Sequence, residues 1–238
     1  MGKVYYFNKN YKPQKFFYRD LNIDLKEATE VLELEYSRIL NGEMRGVNKF
    51  DFTHPENEIF KDSNSISTIK SREYNAFKMY YPFIHDLYSS VVDMTREACK
   101  YYEVDYNSQK FVCQAWFNIN NNEKGGKLNW HDHVHPDRKV FALHGYYSVS
   151  AEPSETHYNI NGDIKINNNI NNRALLSVVG FPHAMSDWNF DGPRITIAYD
   201  VLPLNMLLQK DFLNSNLQDH ETFWEQHYFP LPQIYDEA

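Results

Sequence analysis

The stretch HDHVHPD, residues 131–137, packs His131, Asp132, His133, His135 and Asp137 into seven positions of a chain with ten histidines in all. Such a density of imidazoles and carboxylates is either a solvated polar turn or one half of a transition-metal site. The two differ in whether another ligand converges from elsewhere. On a β-strand, residues i and i+2 share a face. His131 with His133, His133 with His135, or His135 with Asp137 would therefore each offer two donors to one ion. His183, in GFPHAMSDW, follows a strongly apolar run and supplies the candidate third ligand. Two or three imidazoles with at most one carboxylate and open positions suit non-haem Fe(II), with zinc as the chemical competitor. Eleven positions further on, Arg194 and Thr196 in PRIT also share a strand face. A guanidinium beside a hydroxyl makes a receptor for a carboxylate.

These residues need elements to hold them. DLKEATEVLELEYSRIL predicts a helix over 24–40, with Asp24 as N-cap and Leu25, Ala28, Val31, Leu32, Leu34, Tyr36 and Ile39 near helical spacing. Residues 41–72 read as loop and turn material. A second, long helix is expected over about 73–102, with Met79, Tyr80, Phe83, Ile84, Leu87, Val91, Met94 and Ala98 as its apolar stripe and Pro82 kinking or restarting it. Beyond Val104 the texture changes to short runs rich in aromatic and β-branched residues: 111–119, 142–150, 156–160, 163–166, 174–181 and 193–202. Asn161-Gly162-Asp163 predicts a hairpin turn between the third and fourth of them. Helices followed by six strands at short spacing predict a mainly β fold with flanking α-helices, a jelly roll. The expected division is a helical support region over 1–105, a catalytic core over 106–203, and an extension over 204–238 packing back on the core.

Composition narrows the partners. The formal net charge is −8 and no Lys/Arg block could track a phosphate backbone, which argues against nucleic acid. Cys99 and Cys113 are the only cysteines, too few and too far apart for a zinc knuckle or a disulfide framework. MGKVYYFNKN lacks the apolar run of a signal peptide, no stretch is apolar enough for a membrane span, and Tyr6 stands where a myristoylation signal wants Ser or Thr. The expected location is the reducing cytoplasm of the producing or host cell.

With these residues in this order, the chain resembles the 2-oxoglutarate and Fe(II)-dependent oxygenases, in particular small oxygenase-like proteins of bacteria and tailed phages. The resemblance covers about 114–202. It rests on WFN (116–118), Gly125-Gly126, the WHDH run, GYYSV (145–149), FPH (181–183) and PRIT (193–196). It implies a double-stranded β-helix of cupin-like jelly-roll type that takes Fe(II), dioxygen and 2-oxoglutarate as cosubstrate and gives succinate and carbon dioxide. Its metal ligands would be His131, His133 and His183. Arg194 and Thr196 would hold the distal carboxylate of 2-oxoglutarate, and Tyr147 and Asn118 would touch the cosubstrate. The family places a carboxylate where this chain has His133, so the site either has three histidines or uses His135 and Asp137 instead. Tyr146 and Tyr147 are adjacent, so only one of them can face inward.

Hydroxylation of a second substrate is the default outcome, and turnover of 2-oxoglutarate to succinate without one is its variant. A three-histidine cupin-like metalloenzyme that does not use 2-oxoglutarate would explain the HxH pair but leaves Arg194 and Thr196 idle. A non-catalytic jelly-roll binding module would leave the whole constellation idle. His144 reads as structural, Trp188 as either a cap over the substrate pocket or an exposed loop residue, and the NINNNEKGG and KINNNINN tracts as flexible polar loops. The sequence names neither the prime substrate nor the oligomeric state.

Overall fold

The structure is a computed structural model, described here over residues 12–40, 66–68, 74–120, 130–133, 140–207 and 228–233. Two antiparallel sheets face each other. The larger has the order β1-β7-β4-β9-β3-β10, where β1 is Phe17–Asp20, β3 Phe111–Asn120, β4 Leu143–Ser150, β7 Arg173–Val178, β9 Arg194–Pro203 and β10 Phe229–Pro230; β2, Ile66–Ser67, pairs with β3. The smaller has the order β6-β5-β8, with β5 Glu155–Ile160, β6 Asp163–Asn168 and β8 His183–Met185. This is the double-stranded β-helix expected from the sequence.

Helices cover the outer face of the large sheet. In α1, Leu25–Leu40, Asp24 caps the first turn, its Oδ1 accepting from the backbone N–H of Lys26 (2.9 Å) and Glu27 (3.2 Å). The buried stripe differs from the expected one: Ala28 and Leu32 are buried, but Glu35 takes the next inward position and Leu34 is exposed. Glu35 is tolerated there because Arg38 and the Tyr81 hydroxyl donate to its carboxylate. The long helix α2 begins at Pro82, not near 73, and runs to Tyr102. Proline has no N–H to leave unsatisfied in a first turn, so it opens the helix instead of kinking it. Upstream lies a single 3₁₀ turn, Ala76–Lys78, and Tyr80 is fully exposed instead of joining the stripe.

Strand alternation sorts every side chain of the large sheet into one of two environments. Leu143, Tyr147, Ile195, Ile197, Tyr199 and Val201 pack toward the helices with Leu32, Ile84, Leu87 and Val91, forming the main core. Trp116, Tyr146, Leu175 and Ala198 point the other way and meet Tyr158 of the small sheet and Phe16 in a second, thinner core. Asn161 and Gly162 both adopt positive φ (57° and 101°), as the tight turn between β5 and β6 requires.

The KINNNINN tract is ordered structure where a flexible loop was expected. Part of it is β6, and its later amides bind the fold. Asn172 Oδ1 accepts from the Tyr147 hydroxyl (2.6 Å) and the Ile23 N–H (3.1 Å), while its Nδ2 donates to the Ile23 carbonyl (2.9 Å). Asn171 Oδ1 receives the N–H groups of Ala151 and Glu152. Among the described residues, no helix is long and apolar enough to cross a membrane.

Candidate metal centre

The site forms where the short segment 130–133 meets the small sheet. His131 and His183 are directly opposed in an antiparallel bridge, with His131 N–H donating to the His183 carbonyl (3.0 Å) and His183 N–H to the His131 carbonyl (2.7 Å). Directly opposed residues project from the same face, so the two rings converge, with centroids 4.4 Å apart. His133, two residues on, brings its ring to 5.5 Å from His131 and 5.3 Å from His183. One nitrogen of each of the three lies within 4.8 Å of the others.

Two imidazoles on one ion, at a metal–nitrogen bond of about 2.1 Å, hold their centroids about 4.6 Å apart at a right angle and about 5.3 Å apart at the tetrahedral angle. The observed separations match a three-imidazole set, so His131, His133 and His183 fit a first-row divalent metal. His135 and Asp137 lie outside the described residues.

Electrostatics favour the neutral, metal-binding form of His183. Burial, reinforced by the neighbouring imidazoles, pushes His183 down to about 2. His144 on β4 is lowered to about 4, chiefly by burial and then by His133. Both rings are therefore neutral at physiological pH, the form that binds metal. Burial alone would lower His133 and raise Asp200. Their mutual attraction and hydrogen bonding reverse both, raising His133 and holding the Asp200 carboxyl well below the usual range. His131 is exposed, so the centre opens to solvent on that side.

Arg194 and Thr196 lie on the same inward face of β9 and both are buried. Arg194 Nε donates to Ser154 Oγ (3.0 Å). Ser154 Oγ also accepts from Asn169 Nδ2 (2.9 Å), and Asn169 Oδ1 receives both the Tyr146 hydroxyl (2.7 Å) and the Thr156 hydroxyl (3.0 Å). Among the described residues no carboxylate pairs with the guanidinium, and burial lowers Arg194 to about 10. Asn118 Nδ2 reaches Thr196 Oγ1 at 3.4 Å. On the same face Asn120 Nδ2, and on the small sheet the hydroxyl of Tyr158, whose ring stacks on His183, are buried without a hydrogen-bond partner among the described residues. A buried cation lacking an anion, with spare polar groups around it, is the environment an anionic ligand would complete.

The structure thus brings together His131, His133 and His183 at one place and Arg194, Thr196 and Asn118 on the facing sheet. It does not bring Tyr147 there. That ring lies in the helix-side core, bonded to Asn172, and Tyr146 is the inward-facing neighbour. Trp188 is buried, its Nε1 donating to the Gly192 carbonyl at 2.9 Å. His144, read from sequence as structural, lies against His133, and Asp200, Ser154, Asn169 and Tyr158 were not singled out at all. Asp200 was within reach of the sequence, because the alternation that aligns Arg194 with Thr196 continues through Ala198 to Asp200.

No protein-family model matches this chain, and no curated protein matches it in sequence. Solved structures do match in shape. A prolyl hydroxylase in complex with a hypoxia inducible factor oxygen degradation domain peptide fragment, from Trichoplax adhaerens, superimposes with a TM-score of 0.56 at 13% identity, covering 87% of this chain and 89% of that one. AviO1 from Streptomyces viridochromogenes Tue57 gives a TM-score of 0.50 at 10% identity, over 79% of this chain and 90% of that one. At such identities the likeness is one of fold: this chain shares its double-stranded β-helix with a prolyl hydroxylase.

Proposed function

We propose that the protein is a non-haem Fe(II) oxygenase that uses 2-oxoglutarate and dioxygen. The observation that carries this reading is the pairing of two features: three convergent imidazoles, and on the facing sheet the buried Arg194 guanidinium, which no carboxylate pairs among the described residues. The prolyl hydroxylase likeness supports it at the level of fold.

In this reading His131, His133 and His183 hold the metal. Arg194 takes the distal carboxylate of 2-oxoglutarate through the terminal nitrogens not engaged by Ser154, with Thr196 and Asn118 beside it. Tyr146, held by Asn169, takes the place expected of Tyr147. When bound, the metal would supply a site for dioxygen activation coupled to decarboxylation of 2-oxoglutarate. The protein's share is to orient the dicarboxylate and to exclude water with the wall of Trp116, Tyr158 and Ala198. Overall, one dioxygen converts 2-oxoglutarate to succinate and carbon dioxide and places its other oxygen atom in a C–H bond of the prime substrate. Without a prime substrate, succinate still forms if a reductant such as ascorbate consumes the second oxidising equivalent.

The test is succinate formation from 2-oxoglutarate and ascorbate by Fe(II)-loaded protein once air is admitted, with Arg194→Ala and His183→Ala in parallel. Succinate formed by the parent and lost in both variants is the expected result. Absence of succinate with Fe(II) binding that still needs His183 would instead favour a three-histidine cupin-like enzyme. Absence of both would leave a binding module.

A further inference from the structure

Behind the three convergent imidazoles lies an assembly of two rings and one carboxylate, His144 buried and His133 and Asp200 partly so. Asp200 Oδ1 is 2.8 Å from His144 Nδ1, and Asp200 Oδ2 is 3.3 Å from His133 Nδ1. The first contact is built into the sheet, since the β4–β9 register sets His144 directly opposite Asp200. The second ties in the separate segment that carries His131 and His133. The rings of His133 and His144 lie 3.6 Å apart at 16°, face to face, and Trp116 stacks on both, at 5.7 Å and 6.1 Å.

That stack decides what His144 can be. A separation of 3.6 Å is well short of the about 4.6 Å that two imidazoles on one ion require, so His133 and His144 cannot both serve the same metal. His144 is instead a backing plate for His133. With Nδ1 turned to Asp200, His133 has Nε2 left for the convergent side.

We propose that Asp200 is a positioning residue for the metal centre. Its carboxylate holds His133 as the Nδ1–H tautomer, leaves the Nε2 lone pair aimed at the metal, and with His144 clamps the ring plane. It also places a negative charge one bond removed from a ligand set that has none of its own. The inference rests on the metal-centre reading above and extends it to why three imidazoles suffice where a carboxylate ligand is absent. Carboxylates that orient metal-binding histidines typically govern affinity by about 10- to 100-fold.

Asp200→Asn is the incisive variant because it is isosteric and its amide nitrogen can only donate. Facing His133 it would push the imidazole proton to Nε2, where the metal needs the lone pair. Metal-free parent, Asp200→Asn and His183→Ala are titrated with Co(II), read by calorimetry and by the visible Co(II) absorption, with melting of the metal-free proteins as fold control. The expected result is a Co(II) dissociation constant raised about 10- to 100-fold in Asp200→Asn, with an altered Co(II) spectrum and near-parental melting. Binding by Asp200→Asn within about threefold of the parent, while His183→Ala fails to bind, overturns this inference alone. Two Co(II) per parent chain, with Asp200→Asn losing one and keeping the other unweakened, overturns it in favour of a second ion held by Asp200 and one of its two histidines. A parent that binds no Co(II) overturns the metal-centre reading and this inference together. Should Asp200→Asn not fold, ¹⁵N NMR of the metal-free parent at mildly alkaline pH decides. A proton on His133 Nδ1 is expected, and a proton on Nε2 overturns the inference.

Discussion

At the scale of single residues, Arg194 is a buried charge that costs the fold energy. A guanidinium removed from water with one hydrogen bond at Nε, and with no carboxylate paired to it among the described residues, raises the energy of the ligand-free protein. In the proposed function the ligand's carboxylate repays the cost, so stability and binding should move in opposite directions when it is replaced. Arg194→Met keeps much of the side-chain volume and removes the charge. We expect it to raise the unfolding free energy of the ligand-free protein by about 1 kcal/mol or more and to weaken 2-oxoglutarate binding by at least about tenfold. Urea denaturation and calorimetric titration with 2-oxoglutarate measure the two. A variant that is both less stable and equally able to bind would show that Arg194 is a structural cation.

At the scale of elements, one strand shows how tightly the two faces of the large sheet are specified. Gly145 sits on β4 opposite Tyr199, whose ring crosses the space a side chain would fill and whose hydroxyl donates to the Leu175 carbonyl at 2.8 Å. A methyl group at Gly145 would overlap both that carbonyl oxygen, which is backbone, and the Tyr199 ring. Gly145→Ala should therefore cost about 3 kcal/mol or more, as overpacking against backbone does, visible as a large drop in melting temperature; a near-parental melt would contradict the packing described.

The same strand marks where sequence reading stops. The strands were legible because aromatic and β-branched runs stand between Gly, Asn and Pro turns. The phase of β4 was not, because adjacent Tyr146 and Tyr147 satisfy period-two alternation in either register. Only the tertiary partners, Asn169 for one and Asn172 for the other, separate them. Those partners come from an asparagine-rich tract whose composition reads as loop, since side-chain amides reveal their acceptors only in the folded chain. The metal-ligand candidates were legible for the opposite reason: imidazole spacing and the apolar run before His183 are local signals.

At the scale of the whole molecule, protons and folding are linked through one cluster, the one proposed to hold the metal. In the metal-free protein His144 and His183 are neutral and buried, with folded pKa values pushed below the ordinary value near 6.5. As pH falls from about 6.5 toward about 4, the unfolded chain takes up protons that the folded one refuses, and stability falls. The slope is at most about 1.4 kcal/mol per pH unit for each such imidazole. His133 has the opposite shift; its contribution is complete below the unfolded pKa and fades only as pH rises through its folded pKa, so it does not offset the acid loss. Asp200, depressed by its two histidines, adds a further loss below the ordinary carboxylate range as pH falls toward its folded pKa. The metal-free protein should thus melt progressively lower between pH 6.5 and 4.5.

A divalent metal at the proposed site would bind only the neutral rings and would tie the 130–133 segment to β8, so it should oppose this trend. At 100 times its dissociation constant an ion adds about 2.7 kcal/mol, or about 5–10 °C for a chain of this size. The gain should be largest near neutral pH and shrink in acid as protons compete. Melting curves with and without Co(II) across that pH range test both halves. A flat profile without metal would mean the histidine cluster is hydrated in the folded state. A metal-induced rise that persists in His183→Ala would place the ion elsewhere.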